Sequence, residues 1–370
     1  MINLLVDLDE ATFDVPAAQA ALARAGVELA VQRGAPDRTL AWIDDVFGGA
    51  WSSEVASATN VLVTRSGAPV GFASIVAQGL RYPWLRDAAR DPGVGLFGPF
   101  GVAPQERGGT IGPALLVLAM HELRVRGYRR ALIAATNDRL APYYARWTGG
   151  TVVERFEPLA FTPKPVRTVV LASGSGTNFQ AVVDRVNDGM PLDLVALVSN
   201  KPGAYALERA RSAGVMAVAL PWKRSEESRD AYDARLLEAV RATEPQLVLL
   251  LGWMHLLEPR FVQAFPAMLN VHPAFLPLDP SRDDVVLPDG THMPAFRGAR
   301  AVADALAAGM RWVGASVHEV TAQTDRGRIL VRKPLRVLDE EREDEVLARL
   351  HPIEHAIVGD AIKRWLYEHA

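Results

Sequence analysis

The chain contains no cysteine. That excludes disulfides, thiolate nucleophiles and cysteine-based zinc sites, and it leaves redox chemistry silent about compartment. It contains no lysine before Lys164, although arginines run throughout. It has no apolar run near the roughly 20 residues that a membrane span needs. Residues 1–10 carry acids where a signal peptide would carry bases. A net charge of −3 offers no broad basic surface to nucleic acid or anionic lipid. The expectation is a cytoplasmic protein with no nucleic-acid or membrane partner and no metal site.

What is present reads as two domains, the prior that 370 residues suggest. Between residues 156 and 165 stand Pro158, Pro163 and Pro165. Prolines at that density neither continue a helix nor sit in a central strand, so they mark a linker. The lysine boundary falls at the same place. The expected division is residues 1–160, a linker at 161–165, and residues 166–370.

In the C-terminal part, strand and helix patterns alternate. Strands are expected at 168–172, 192–198, 215–220, 246–251, 267–272, 313–320 and 329–337. Helices are expected at 178–187, 205–213, 225–243 and 341–367. This order argues for an α/β domain with a mostly parallel sheet. Asn270-Val271-His272-Pro273 ends one strand. Alternation puts Asn270 and His272 on one face, where an α/β sheet opens its crevice. An amide donor beside an imidazole suits a tetrahedral oxyanion, and the imidazole can also move a proton. A capped strand end with a hydrogen-bonded histidine is the alternative. Gly174, Ser175, Gly176, Thr177 and Asn178 join the first strand to the first helix. They form either a phosphate cradle or a plain tight turn.

Together these segments resemble the glycinamide ribonucleotide formyltransferases over about residues 166–370. The carrying motifs are 170–178, Val198-Ser199-Asn200-Lys201 with Leu207-Glu208-Arg209-Ala210, 251–257, 270–273, Ser316-Val317-His318-Glu319-Val320 with Asp325-Arg326-Gly327, and Glu354-His355-Ala356. The resemblance implies a Rossmann-like domain that takes a formyl group from 10-formyltetrahydrofolate and passes it to a small-molecule amine. Asn270, His272 and Asp325 would be catalytic. The 174–178 loop would hold phosphate, Glu354 the substrate amine, and Met254, His255, Leu256, Leu257, Phe261 and Val262 the folate. His255 stands where that family usually has Arg. His318 is expected to pack or hydrogen-bond in its strand. The loop at 278–298 is longer than the family's and should carry a small hairpin around Pro288-Asp289-Gly290, beside the amine site. Phe296-Arg297-Gly298 also resembles the methionyl-tRNA and sugar formyltransferases, so another amine is the alternative acceptor.

The N-terminal part resembles the GNAT acyltransferases, a mixed α/β fold, over about residues 45–157. A hairpin is expected at 60–75, then a strand at 95–102, a helix at 114–126, a strand at 128–134, a helix around 143–146 and a strand at 151–156. Arg107, Gly108, Gly109, Thr110 and Gly112 match that family's pyrophosphate loop at a helix start, with Thr110 where Gly is usual. The resemblance implies acetyl-CoA held by these residues and Val102, with Tyr144 as proton donor to the departing thiolate. The alternative is a non-catalytic sensing or scaffolding module.

Overall fold

The computed structural model describes residues 1–76, 82–85, 91–162, 164–265 and 267–369. The chain divides into two compact units. One comprises Met1–Phe161 with Pro288–Gly290 and the residues from Leu366. The other comprises Thr162–Leu287 with Thr291–Trp365. Pro163 of the expected linker lies outside the described residues. Its neighbours are ordered: Pro158–Phe161 makes one 3-10 turn, and the rings of Phe156 and Phe161 lie 5.5 and 6.4 Å from that of Trp84.

The N-terminal unit is built from β1 (Ile2–Asp7), α1 (Val15–Arg24), β2 (Glu28–Arg33), α2 (Asp37–Val46), α3 (Trp51–Ser57), β3 (Thr59–Arg65), β4 (Ala68–Ile75), β5 (Val94–Val102), α4 (Ile111–Val125), β6 (Arg130–Thr136), α5 (Ala141–Thr148) and β7 (Thr151–Arg155). Its sheet runs β2-β3-β4-β5-β6-β1-β7. The β5–β6 pair is parallel, and its register runs from Val94↔Arg130 to Phe97↔Ile133. Both strands continue past that point unpaired with each other, so the sheet opens there. β1 was not legible as a strand, yet it sits between β6 and β7 with Ile2, Leu4 and Val6 buried.

The C-terminal unit follows the expected order closely. It contains β8 (Val166–Leu171), α6 (Thr177–Asn187), β9 (Leu192–Ser199), α7 (Tyr205–Ser212), β10 (Met216–Ala219), α8 (Arg229–Arg241), β11 (Leu247–Leu250), α9 (Pro259–Ala264), β12 (Met268–His272), β13 (Asp284–Val286), β14 (His292–Pro294), α10 (Ala301–Ala307), β15 (Trp312–Glu319), β16 (Ile329–Arg336) and α11 (Glu343–His369). The sheet order is β10-β9-β8-β11-β12-β15-β16. It is parallel from β10 to β12 and antiparallel beyond. β11 is central and entirely buried, which is why it reads as an unbroken apolar run. Each of its leucines contributes on the order of 2 kcal/mol by burial. Helix α8 begins later than expected, because Ser228 caps it by accepting from Ala231 N–H. The expected hairpin is β13–β14, closed by Leu287 N–H donating to Thr291 O at 2.9 Å.

Candidate active site

Strand β12 ends at the carboxyl edge of the parallel strands, and β15 runs antiparallel beside it. The register sets Asn270 opposite His318 and His272 opposite Ser316. Asn270 Nδ2 lies 3.1 Å from His318 Nε2. His318 Nδ1 lies 2.8 Å from Glu319 O, an acceptor, so Nδ1 carries the proton and a neutral Nε2 accepts from the amide. The expected strand histidine thus orients Asn270. The second amide N–H of Asn270 points toward Asp325 Oδ1 at a loose 3.4 Å, which leaves it available to a better acceptor.

His272 is 4% exposed. Its Nε2 donates to Phe296 O at 2.9 Å, and its Nδ1 faces Asp325 Oδ2 at 3.5 Å. Burial holds the imidazole below its ordinary value, against the opposing pull of Asp325 and Phe296 O. The resting form is therefore neutral, with Nδ1 as the free base facing a carboxylate that would stabilise a proton gained there. Asp325 resists burial's upward push. The His318 ring, His272 and a 3.0 Å bond from Gly298 N–H to Oδ2 hold it at about 2.

The loop carrying Asp325 is backbone-constrained. Asp325 has φ +52°, in the left-handed region that costs a non-glycine residue about 1 kcal/mol or more. Two residues on, a Cβ at Gly327 would stand 1.7 Å from Glu319 O, so only glycine fits where this loop rejoins β15. That is the physical content of Asp325-Arg326-Gly327.

The 174–178 loop leaves β8 at the same edge. The N–H groups of Gly174, Ser175 and Gly176 donate to no protein acceptor among the described residues. Helix α6 opens on Gly176 without a side-chain cap. Gly176 has φ +72°, and a Cβ there would lie 2.7 Å from Ala206 Cα, so it is the hinge of the turn. Free donors at a helix start suit an anion. The side chain of Asn178 turns to Glu354: its Nδ2 donates to Glu354 Oε2 at 3.1 Å, and its Oδ1 is buried with no partner among the described residues. Glu354 is not a solvated helix charge. It is 7% exposed, and burial raises its carboxyl above the ordinary value, against the Asn178 hydrogen bond.

One cavity of about 770 Å³ gathers these groups. Residues Gly174 to Asn178, Asn270, His272, Asp325 and Glu354 all line it. So do Met254, His255, Leu256, Leu257 and Val262. Met254 and Leu256 are 51% and 68% exposed, apolar side chains open to a flat ligand. Phe261 is corrected: it is 2% exposed and packs on Phe265 at 4.9 Å, behind the wall rather than on it. The His255 ring meets Trp222, Tyr232 and Trp253 edge-on. Two residues escaped the sequence reading. His351 lines the cavity three positions before Glu354 on α11, a spacing that puts both on one face. Arg229 donates to Leu256 O from the first turn of α8, where nothing in the pattern set it apart from other surface arginines.

In the N-terminal unit, Gly108, Gly109 and Thr110 are exposed, and their N–H groups donate to no protein acceptor among the described residues. Arg107 turns back to donate to Val102 O at 3.2 Å. Gly112 is buried, and a Cβ there would lie 2.7 Å from Tyr143 Oη. The Tyr144 ring stands 6.1 Å from those of Phe97 and Phe100, at the point where β5 and β6 part. Burial and neighbouring Tyr143 push its hydroxyl up, so it stays protonated at neutral pH.

Comparison with known proteins places the C-terminal unit. The profile of the family described as formyl transferase matches residues 166–278 and 290–362. The phosphoribosylglycinamide formyltransferase of Mycobacterium tuberculosis is 36% identical over 209 residues, covering 56% of this chain and 88% of its own length. That of Escherichia coli is 35% identical over 191 residues, covering 51% and 82%. The trifunctional purine biosynthetic protein adenosine-3 of Drosophila melanogaster is 35% identical over 214 residues, and this chain spans only 14% of it. Among solved structures, glycinamide ribonucleotide transformylase 1 from Symbiobacterium toebii is 36% identical, covers 55% of this chain and 88% of its own, and has a TM-score of 0.48. The chain belongs to the formyl transferase family of enzymes.

Proposed function

We propose that the protein transfers the formyl group of 10-formyltetrahydrofolate to the amine of glycinamide ribonucleotide, a step of purine synthesis. One observation carries the reading: a single cavity joins a phosphate-type loop, an apolar wall and the Asn270–His272–Asp325 cluster. The free N–H groups of the 174–176 turn would take the acceptor's phosphate, and Glu354 would hold its amine. Met254 and Leu256 would cover the flat donor ring. As the amine attacks the formyl carbon, Asn270 donates its loosely held N–H to the developing oxyanion. Nδ1 of His272 takes up the proton released by the amine, and Asp325 stabilises the imidazolium. As the oxyanion collapses and the bond from the formyl carbon to N10 breaks, the imidazolium returns that proton to N10 and tetrahydrofolate leaves. Holding amine and formyl carbon together supplies much of the rate.

Supplying the full chain with 10-formyltetrahydrofolate and, in turn, glycinamide ribonucleotide, a nucleotide amino sugar and methionyl-tRNA tests the acceptor. Mass spectrometry should find formyl product with the first. Product only with another amine would replace this acceptor and leave the donor reading intact.

For the N-terminal unit we propose acetyl-CoA binding at residues 107–112. The free N–H groups at the start of α4 and the protonated Tyr144 fit that cofactor, which when bound would supply an activated acyl group. Calorimetry on the full chain should show micromolar affinity, on the order of −8 kcal/mol. Gly112→Val should weaken it, because Tyr143 Oη already occupies the space. No heat of binding would leave this unit as a sensing or scaffolding module.

A further inference from the structure

The family profile leaves residues 279–289 unmatched; they supply β13 of the β13–β14 hairpin, and that hairpin does not line the cavity. The residues that lead into β13, 280–283, contact instead the loop that presents Asp325 and Arg297 beside it. Asp283 Oδ1 accepts from Arg297 Nη1 at 2.9 Å and from Arg326 Nη2. Arg297 also donates through Nε to Asp325 O at 3.2 Å and through Nη2 to Arg282 O at 2.7 Å. Arg326 Nη1 donates to Pro280 O at 2.9 Å. The hairpin strand is itself fixed by Ala295 N–H donating to Asp283 O at 2.8 Å. Asp325 thus stands between two guanidinium groups, one held in sequence beside it and one bonded to its carbonyl, and a single carboxylate joins the two.

We propose that the 279–289 insertion is a brace for the Asp325 loop, and that Asp283 is its positioning residue. This rests on the formyl-transfer reading of Asp325. The need for a brace follows from the backbone: Asp325 holds a left-handed φ that persists only when its surroundings over-determine it. The Asp283 side chain is 74% exposed and that of Arg297 only 14%. Solvent limits what either ion pair contributes to stability. The effect is therefore geometric, acting on where the Asp325 carboxylate meets His272 Nδ1. A misplacement of the order of 1 Å at such a contact lowers turnover by up to about 100-fold.

The test uses the full chain with Asp283→Ala, Asp283→Glu and a control, Asp284→Asn, whose carboxylate pairs with Arg282 and His292 and not with the Asp325 loop. In Asp283→Ala, kcat should fall by roughly 10- to 100-fold with both KM values within about twofold. Asp283→Glu should recover most of that, and Asp284→Asn should stay within about twofold. In an Asp325→Asn background, Asp283→Ala should cost nothing further, since the two act as one unit. An equal loss in both backgrounds, or an unaffected kcat, overturns the brace. If Asp325→Asn itself keeps full turnover, the catalytic reading of Asp325 fails on its own. The brace is then judged by hydrogen exchange across residues 323–328, which Asp283→Ala should speed at least tenfold while other segments stay unchanged. Unchanged exchange there overturns it.

Discussion

Replacing Asn270 by Ala removes one group that the account assigns to the oxyanion, and the structure sets the expected size of two separate effects. The amide makes one good contact, 3.1 Å to His318 Nε2, and one loose one, 3.4 Å to Asp325 Oδ1. Losing them should cost about 1 kcal/mol of stability, the net worth of one hydrogen bond. The melting temperature should therefore fall by no more than about 4 °C. Turnover should fall far more, by roughly 10²–10³, because the lost N–H is worth most when charge develops on the oxygen. Both KM values should move less than about threefold. Steady-state formyl transfer, followed as 10-formyltetrahydrofolate is consumed, measures the first effect, and a thermal melt measures the second. A variant within tenfold of the parent kcat would refute the oxyanion role. A large loss in kcat matched by a large drop in melting temperature would refute the separation of the two effects.

Two further outcomes follow from the same geometry. Gly174 has open space where a Cβ would stand and lines the cavity, so Gly174→Val should leave the fold intact and raise the acceptor KM at least tenfold over the folate KM in steady-state assays; equal effects would argue against a phosphate role. Stability should fall on acidification in two windows. The buried His272 resists protonation that the unfolded imidazole accepts near 6.5, so stability is lost as pH drops from there. The unfolded Asp325 carboxyl protonates near 3.8 and the folded one at about 2, so roughly 2 kcal/mol more is lost between those values. Denaturant melts across pH should show both losses, with the upper one smaller in His272→Gln and not abolished, because burial also holds His255 and His355 below their ordinary values.

The site was legible in the sequence where local rules decide it. Asn270 and His272 share a face because strands alternate, and the glycine loop follows a strand and opens a helix. Two features lay outside that reach. The cross-strand meeting of Asn270 and His318 depends on the register of β12 against β15, and no single-strand pattern carries register. The route from Asp283 to Asp325 depends on where an irregular loop folds back. The N-terminal sheet taught the same lesson. β1 is short, mixed in polarity at its end and paired with strands more than a hundred residues away, so its central position emerges only from tertiary pairing. Phe261 shows the converse: its helical position fitted a ligand wall and a core equally well, and packing against Phe265 decided for the core.

The most direct test of the central claim is the stoichiometry of a single reaction. Full-length protein mixed with 10-formyltetrahydrofolate and glycinamide ribonucleotide should yield formylated ribonucleotide and tetrahydrofolate in equal amounts, and the His272→Ala, Asn270→Ala double variant should yield almost none. Tetrahydrofolate released without formylated ribonucleotide, or equal yields from the parent and the double variant, would contradict it.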